Sequence, residues 1–192
     1  SAADRATWAI PGSLHVDAYA DLKARNPQAL DGVSLPSDVP VVTVCNSGYT
    51  SQIASKQLQA RGIEARSLQG GMQAWSLSWN TADIPLPTSS ATVIQIRRVG
   101  KGCLSYLIGS ETEAVVIDAS LEPEVYLNIA RSRGWSITAV LDTHIHADHL
   151  SRSRLLAEQS GATLYLPNQE RVVYAFTPLR HGSIIKVGEA SL

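Results

Sequence analysis

Cysteine is scarce in this sequence: its 192 residues hold two, Cys45 and Cys103, far apart and in no CxxC pair. Two cysteines build no disulfide framework, so a reducing, cytoplasmic compartment is expected. Charge is sparse as well. Charged residues make up 17% of the chain and the formal net charge is −1, which argues against nucleic acid or a membrane surface as an electrostatic partner. No apolar run reaches the ~18 residues of a membrane span. Internal repeats and low-complexity tracts are absent. Ser1-Ala2-Ala3-Asp4-Arg5 is no signal peptide and contains no initiator methionine, so a processed or excised start is expected. What is present is a 44% hydrophobic chain, long enough for one large domain or two small ones and able to bury a core.

The densest chemistry is Thr143-His144-Ile145-His146-Ala147-Asp148-His149-Leu150. It follows the apolar run 137–141, which reads as a buried strand. It precedes a helical pattern through Leu155, Leu156 and Ala157, closed by Gly161. In an open α/β sheet, ligands bind where strands end and helices begin. Three of the chain's five histidines fall within six residues here, with an aspartate between them. One histidine at a strand end is ordinarily structural, but this cluster reads as a metal site. His144 and His146 reach one point from an extended turn, and Asp148 and His149 approach from the first turn of the helix. Imidazole and carboxylate together suit zinc, iron or manganese.

A second centre lies in the first half. The run 41–44 is β-branched and reads as a buried parallel strand. Cys45-Asn46-Ser47-Gly48-Tyr49-Thr50-Ser51 follows as a compact loop, and then a helix to Arg61 with Ile53, Ala54 and Leu58 inward. Such a loop can turn its backbone N–H groups inward, and the helix N-terminus adds partial positive charge. A cysteine in that pocket has a lowered pKa and is nucleophilic. Further along, 63–68 reads as a strand, Gly70-Gly71 as a tight turn before a short helix, and 17–25 as a helix. The prolines of 84–90 suit a linker. Strands are expected over 92–99, 104–108, 114–118, 163–166 and 184–187. A helix capped by Ser120 and ending at Gly134 is expected, and another over 168–175. Cys103 reads as a small core residue, and His15 and His181 as non-ligands.

The pattern Val-x-Val-Cys-x-x-Gly-x-Thr-Ser resembles the rhodanese (sulfurtransferase) domain. So do Ile10-Pro11-Gly12-Ser13-Leu14-His15 upstream and Leu68-Gln69-Gly70-Gly71-Met72-Gln73-Ala74-Trp75 downstream. By that resemblance Cys45 carries a persulfide, cradled by Asn46, Ser47, Gly48, Tyr49 and Thr50. Rhodanese loops often carry arginine where Thr50 stands, and some sulfurtransferases of the mercaptopyruvate type carry threonine. The HxHxDH motif resembles the first metal motif of the metallo-β-lactamase fold. The words around it, Gly102-Cys103-Leu104-Ser105-Tyr106-Leu107-Ile108, Ala114-Val115-Val116-Ile117-Asp118 and Leu141-Asp142-Thr143-His144, look closest to persulfide dioxygenases. Hydroxyacylglutathione hydrolases are near relatives.

The resemblances imply an α/β chain. A rhodanese-like parallel sheet with flanking helices is expected over 1–79, a linker over 80–90, and the first part of a metallo-β-lactamase αββα sandwich over 91–192. Both domains are expected to be truncated, the first at its N-terminal strand and the second before its later metal ligands. In the dioxygenases His144 holds iron with two later ligands, while His146, Asp148 and His149 stand near. In dinuclear hydrolases His144 and His146 serve one metal, and Asp148 and His149 the other. Asp118 is expected to orient a ligand. The implied cofactor is Fe(II), with Zn(II) as the alternative. The implied activity is sulfurtransfer through Cys45 coupled to oxidation of glutathione persulfide to sulfite, with the metal-dependent part expected to be absent from this truncated chain. The alternatives are a metal-dependent thioester hydrolase and a sulfur carrier without turnover. The implied partners are small sulfur donors: thiosulfate, mercaptopyruvate or glutathione persulfide. Assembly as a homo-oligomer stays open.

Overall fold

A computed structural model describes all residues except 1–4, 7, 37, 88, 148 and 170. The chain divides into two compact units, Ser1–Ser78 and Trp79–Leu192. No helix among the described residues is long and apolar enough to cross a membrane.

The first unit contains α1 (Tyr19–Lys23), β1 (Val41–Thr43), α2 (Tyr49–Ala60), β2 (Ala65–Ser67) and α3 (Gly71–Trp75). β1 and β2 pair in parallel, with Thr43 opposite Ser67. Ala54 and Leu58 of α2 pack with Ala18, Leu22, Leu30 and Ala65 in one apolar cluster, and Ile53 lies against it. Arg61 at the end of α2 donates to the carbonyls of Leu30 and Pro27 and to Asp31, tying the helix to the segment before β1. β1 was expected to be buried. Val42 is instead 59% exposed, because the sheet has two strands among the described residues and covers one face.

The second unit is built on a seven-stranded mixed sheet of β3 (Trp79–Ile84), β4 (Thr92–Arg98), β5 (Leu104–Ser110), β6 (Glu113–Ile117), β7 (Ser136–Leu141), β8 (Thr163–Pro167) and β9 (Thr177–Leu179), in that order. β3 to β6 run antiparallel, and β6 to β9 run parallel. The crossovers carry α4 (Pro123–Ser132) and α5 (Ser153–Ser160). Strand alternation sends one set of side chains to each face. Ile94, Ile96, Leu107, Val116 and Val140 face Tyr126 and Ala130 of α4 and Leu156 of α5. Ile108, Val115, Ala139 and Leu141 face Ile185 and Val187, at the hairpin of β10 (Lys186–Val187) and β11 (Ala190–Ser191).

Several local expectations change. Residues 80–84, expected in the linker, belong to β3, paired from Trp79 opposite Arg98 to Ile84 opposite Val93. α4 starts with Glu122 as N-cap and Pro123 at its first position, so Ser120 is not the cap. Proline fixes the backbone angle a first helical turn needs, which sets the start two residues later. The Ser120 hydroxyl lies 3.3 Å from Ser105 Oγ instead. The described part of 168–175 is not helical. Val173 there is fully exposed, and a short segment without a buried face does not hold a helix. α5 begins at Ser153, so His149 comes from the loop before the helix rather than its first turn. Cys103 is half-buried beside the β4–β5 turn, outside the apolar clusters.

Candidate functional site

Cys45 stands two residues past the end of β1, and α2 begins four residues later at Tyr49. Gly48 is the N-cap of α2, at φ 91°, a left-handed angle that suits glycine. Its backbone N–H donates to Cys45 Sγ at 3.2 Å, and the Ser51 N–H at 3.4 Å. Ser51 Oγ lies 3.3 Å from the same sulfur. Burial pushes the thiol pKa up. Hydrogen bonds from the Ser51 and Thr50 side chains and from the Ser51 and Gly48 backbone outweigh that and lower it to about 7. A substantial fraction is therefore thiolate near neutral pH, the form that attacks a sulfur donor.

The Gly70-Gly71 turn closes the loop from below. Met72 N–H donates to Cys45 O at 2.8 Å and Gln73 N–H to Asn46 O at 3.0 Å. The approach is so close that a Cβ on Gly71 would lie 2.1 Å from Cys45 O. Of the residues expected to cradle a substrate, Gly48 and Thr50 are buried against the sulfur, while Asn46, Ser47 and Tyr49 are exposed. Sequence reading missed two groups. Ser51 touches the sulfur, and Ser67 at the end of β2 donates to Ser51 Oγ at 2.8 Å. Ser51 is the last residue of the expected loop, one beyond the expected cradle, and was within reach of the sequence. Ser67 reaches the loop only through the β1–β2 pairing, a long-range contact.

The second centre lies where β6 and β7 end. Asp118 follows β6 at φ 55°, left-handed and uncommon for a non-glycine residue. Its backbone N–H donates to Leu141 O at 2.8 Å, and its carbonyl accepts from Ser105 Oγ at 2.7 Å. Its carboxylate reaches the histidine loop, accepting from Thr143 N–H and from Thr143 Oγ1, each at 2.7 Å. Oδ1 also lies 3.2 Å from His146 Nε2. The His146 side chain is buried, with Asp142 Oδ1 3.7 Å away. Asp142 is itself held by Ser153 Oγ at 2.5 Å and Ser151 Oγ at 2.7 Å. His144 is exposed, with Nδ1 2.9 Å from Thr143 Oγ1. The His146 ring stands 4.2 Å from that of His144 and 4.3 Å from that of His149. Asp148 lies outside the described residues. His15 and His181 are exposed and outside the cluster.

Among the described residues, Asp118, His144 and His146 bring one donor atom each within 4.8 Å of one another. Donors placed tetrahedrally about 2.1 Å from a metal stand roughly 3.4 Å apart, so the set closes on an ion after its widest pair draws in by up to about 1.4 Å. Two imidazoles and a carboxylate suit zinc or ferrous iron.

Residues 1–78 match the sequence model of the rhodanese-like domain, and residues 98–185 that of the metallo-β-lactamase superfamily. A rhodanese-like domain is thus found in the first unit and a metallo-β-lactamase superfamily domain in the second. That superfamily implies a metal, for which Asp118, His144 and His146 are the residues gathered. A hydroxyacylglutathione hydrolase from Polaromonas is 38% identical over 89 residues, which are 44% of this chain and 34% of that protein. A tRNA sulfurtransferase from Desulfurococcus amylolyticus is 33% identical over 64 residues, 33% of this chain and 11% of that one. The crystal structure of ETHE1 from Myxococcus xanthus is similar at a TM-score of 0.46 and 33% identity, covering 50% of this chain and 44% of that one. The chain spans about a third or less of the length of the curated hydrolases it matches.

Proposed function

We propose that this protein handles sulfane sulfur in two steps. In the first, the Cys45 thiolate attacks a donor such as thiosulfate. The Cys45 S–S bond forms, the donor's S–S bond breaks, and sulfite leaves. The observation that carries this reading is the convergence of the Gly48 and Ser51 N–H groups and the Ser51 hydroxyl on one sulfur. After transfer the charge moves to the outer sulfur, one S–S bond from Sγ, where a helix N-terminus also favours an anion.

In the second step glutathione persulfide would be oxidised to sulfite beside His144, His146 and Asp118. Dioxygen supplies two oxygen atoms and water the third, glutathione thiol leaves and two protons are released. When bound, ferrous iron would supply the redox chemistry. His144 would hold it, while Asp118 fixes His146 beside the site. What supports this over a dinuclear hydrolase is the contrast between the two histidines: His146 is buried with Nε2 against Asp118, and His144 is exposed. A second reading is hydrolysis of a hydroxyacylglutathione thioester, with zinc as the metal. The curated relatives at 30–38% identity favour it by their names.

Mass spectrometry after incubation with thiosulfate or mercaptopyruvate tests the first step: a gain of one sulfur on Cys45, absent from Cys45→Ser, is expected. Labelling of Cys103 in preference to Cys45 would overturn it. The second step is tested on protein reconstituted with iron or zinc. Sulfite formation with oxygen uptake from glutathione persulfide would support it. Thioester hydrolysis by the zinc form would replace this reading by the hydrolase. A labelled Cys45 with neither turnover would leave a sulfur carrier.

A further inference from the structure

The Ser51 hydroxyl has a directional problem. A thiolate only accepts, so Ser51 must spend its single proton on Cys45 Sγ, 3.3 Å away. A hydroxyl is free to rotate, and Ser51 sits in the first turn of α2, where a serine proton can turn instead toward a backbone carbonyl. Ser67 removes that freedom. Its Oγ donates to Ser51 Oγ at 2.8 Å, so it occupies an acceptor position on Ser51 and leaves the Ser51 proton for the sulfur. Two hydroxyls in a chain polarise each other in the same sense, which strengthens the bond that ends on the anion.

A second, independent contact fixes the same residue from the neighbouring strand. Thr43 Oγ1 donates to the Ser51 carbonyl at 2.8 Å. Thr43 and Ser67 are register partners at the ends of β1 and β2. The strand pair therefore grips Ser51 at two points, through its carbonyl and through its hydroxyl.

We propose that Ser67 is a positioning residue of the Cys45 site, acting through Ser51: its hydroxyl orients the Ser51 hydroxyl so that it donates to Cys45 Sγ. Ser67 touches neither the sulfur nor a donor molecule. This rests on the reading of Cys45 as the sulfur acceptor, and it concerns how readily that sulfur becomes a thiolate.

The test is the rate of Cys45 alkylation by iodoacetamide as a function of pH on the full chain, with Cys45 and Cys103 peptides separated by mass spectrometry. No sulfur donor is needed, so a failure of sulfurtransfer and a failure of the Ser67 proposal are distinguishable. In the parent chain the midpoint is expected near the lowered thiol value of about 7. Ser67→Ala is expected to move it up by about half a pH unit and to slow alkylation at pH 6 about threefold. Ser67→Thr keeps the hydroxyl and is expected to keep the parental midpoint. Ser51→Ala should move it further, and adding Ser67→Ala to Ser51→Ala should change nothing more. An unmoved midpoint in Ser67→Ala would overturn the proposal. So would an equal shift on top of Ser51→Ala, since Ser67 would then act without Ser51. If Ser67→Ala fails to fold, Ser67→Val against Ser67→Thr takes its place, at matched volume with and without the hydroxyl. A shift in the valine variant alone supports the proposal, and the same shift in both overturns it.

Discussion

Cys45 and Asp118 occupy the same kind of place, the carboxyl end of a strand, and are held there by different means. Around Cys45 much of the work is done by main chain: two N–H groups on the sulfur, and two more from α3 on the carbonyls of Cys45 and Asn46. Around Asp118 more of it is done by side chains, from Thr143 and His146 of one loop and Ser105 of a neighbouring strand, beside the Thr143 N–H and the Leu141 carbonyl. A main-chain cradle needs room for close backbone approach and tolerates much variation in side chain. A side-chain cluster needs particular functional groups and is indifferent to a spare methyl. The two sites should therefore break under opposite substitutions.

The largest effect is expected from adding a methyl to the cradle. At Gly71 a Cβ would lie 2.1 Å from Cys45 O and 2.8 Å from Asn46 C, on a residue at φ 57°. Backbone cannot swing aside as a side chain can, so Gly71→Ala must displace the loop. It is expected to destabilise the first unit by about 3 kcal/mol and to reduce sulfur labelling of Cys45 more than about a hundredfold. Gly62→Ala is the control. It also has positive φ, 80°, but nothing lies within 4 Å of the added carbon. It should cost about 1 kcal/mol and leave labelling intact. Parental labelling in Gly71→Ala would mean that the cradle does not depend on this approach. Metal binding by the second unit should be unaffected by either change.

The complementary change removes a charge and no volume. Asp118→Asn keeps an oxygen to accept from Thr143 but takes the anion away from His146 and from any ion held there. Metal affinity is expected to fall about 10- to 100-fold, measured by competition with a chromophoric chelator for zinc or ferrous ion. Cys45 labelling should be unchanged. Equal affinity in the asparagine variant would show that Asp118 serves the loop and not the metal.

The same division explains what could be read in advance. The strand ends carrying Cys45 and His144 are local patterns: a β-branched run, a polar loop, then helical periodicity. Ser67 is invisible to that reading, because its contact with Ser51 exists only once β1 and β2 pair. Asp118 could be named from its strand, but its reach to His146 depends on β6 and β7 lying side by side, with Ile117 opposite Leu141. β3 was hidden for another reason. It is an edge strand, exposed along nearly its whole length, so it carries no apolar alternation, and prolines follow it at Pro85 and Pro87. What holds it is pairing with β4 and the Arg133–Asp83 ion pair, in which Nη2 lies 3.0 Å from both oxygens.

The smallest expected effect tests the electrostatic half of the cradle separately from its shape. The Cys45 thiol is lowered to about 7 in the folded chain, against about 8.5 for an unfolded cysteine. A depressed folded value means that the fold favours the thiolate. Its contribution to stability is then fully present above about pH 8.5 and is lost as pH falls through about 7. Serine at position 45 has no such titration and nearly the same shape. The thermal midpoint of the parent minus that of Cys45→Ser should therefore be larger at pH 9 than at pH 6. Solvent screening at this half-buried sulfur should keep the change to a few degrees. A difference that is flat across this range would mean that the N–H groups and Ser51 hold the neutral thiol as well as the anion. A difference that grows toward pH 6 would reverse the sign, and the loop would then be a cradle by geometry and not by charge.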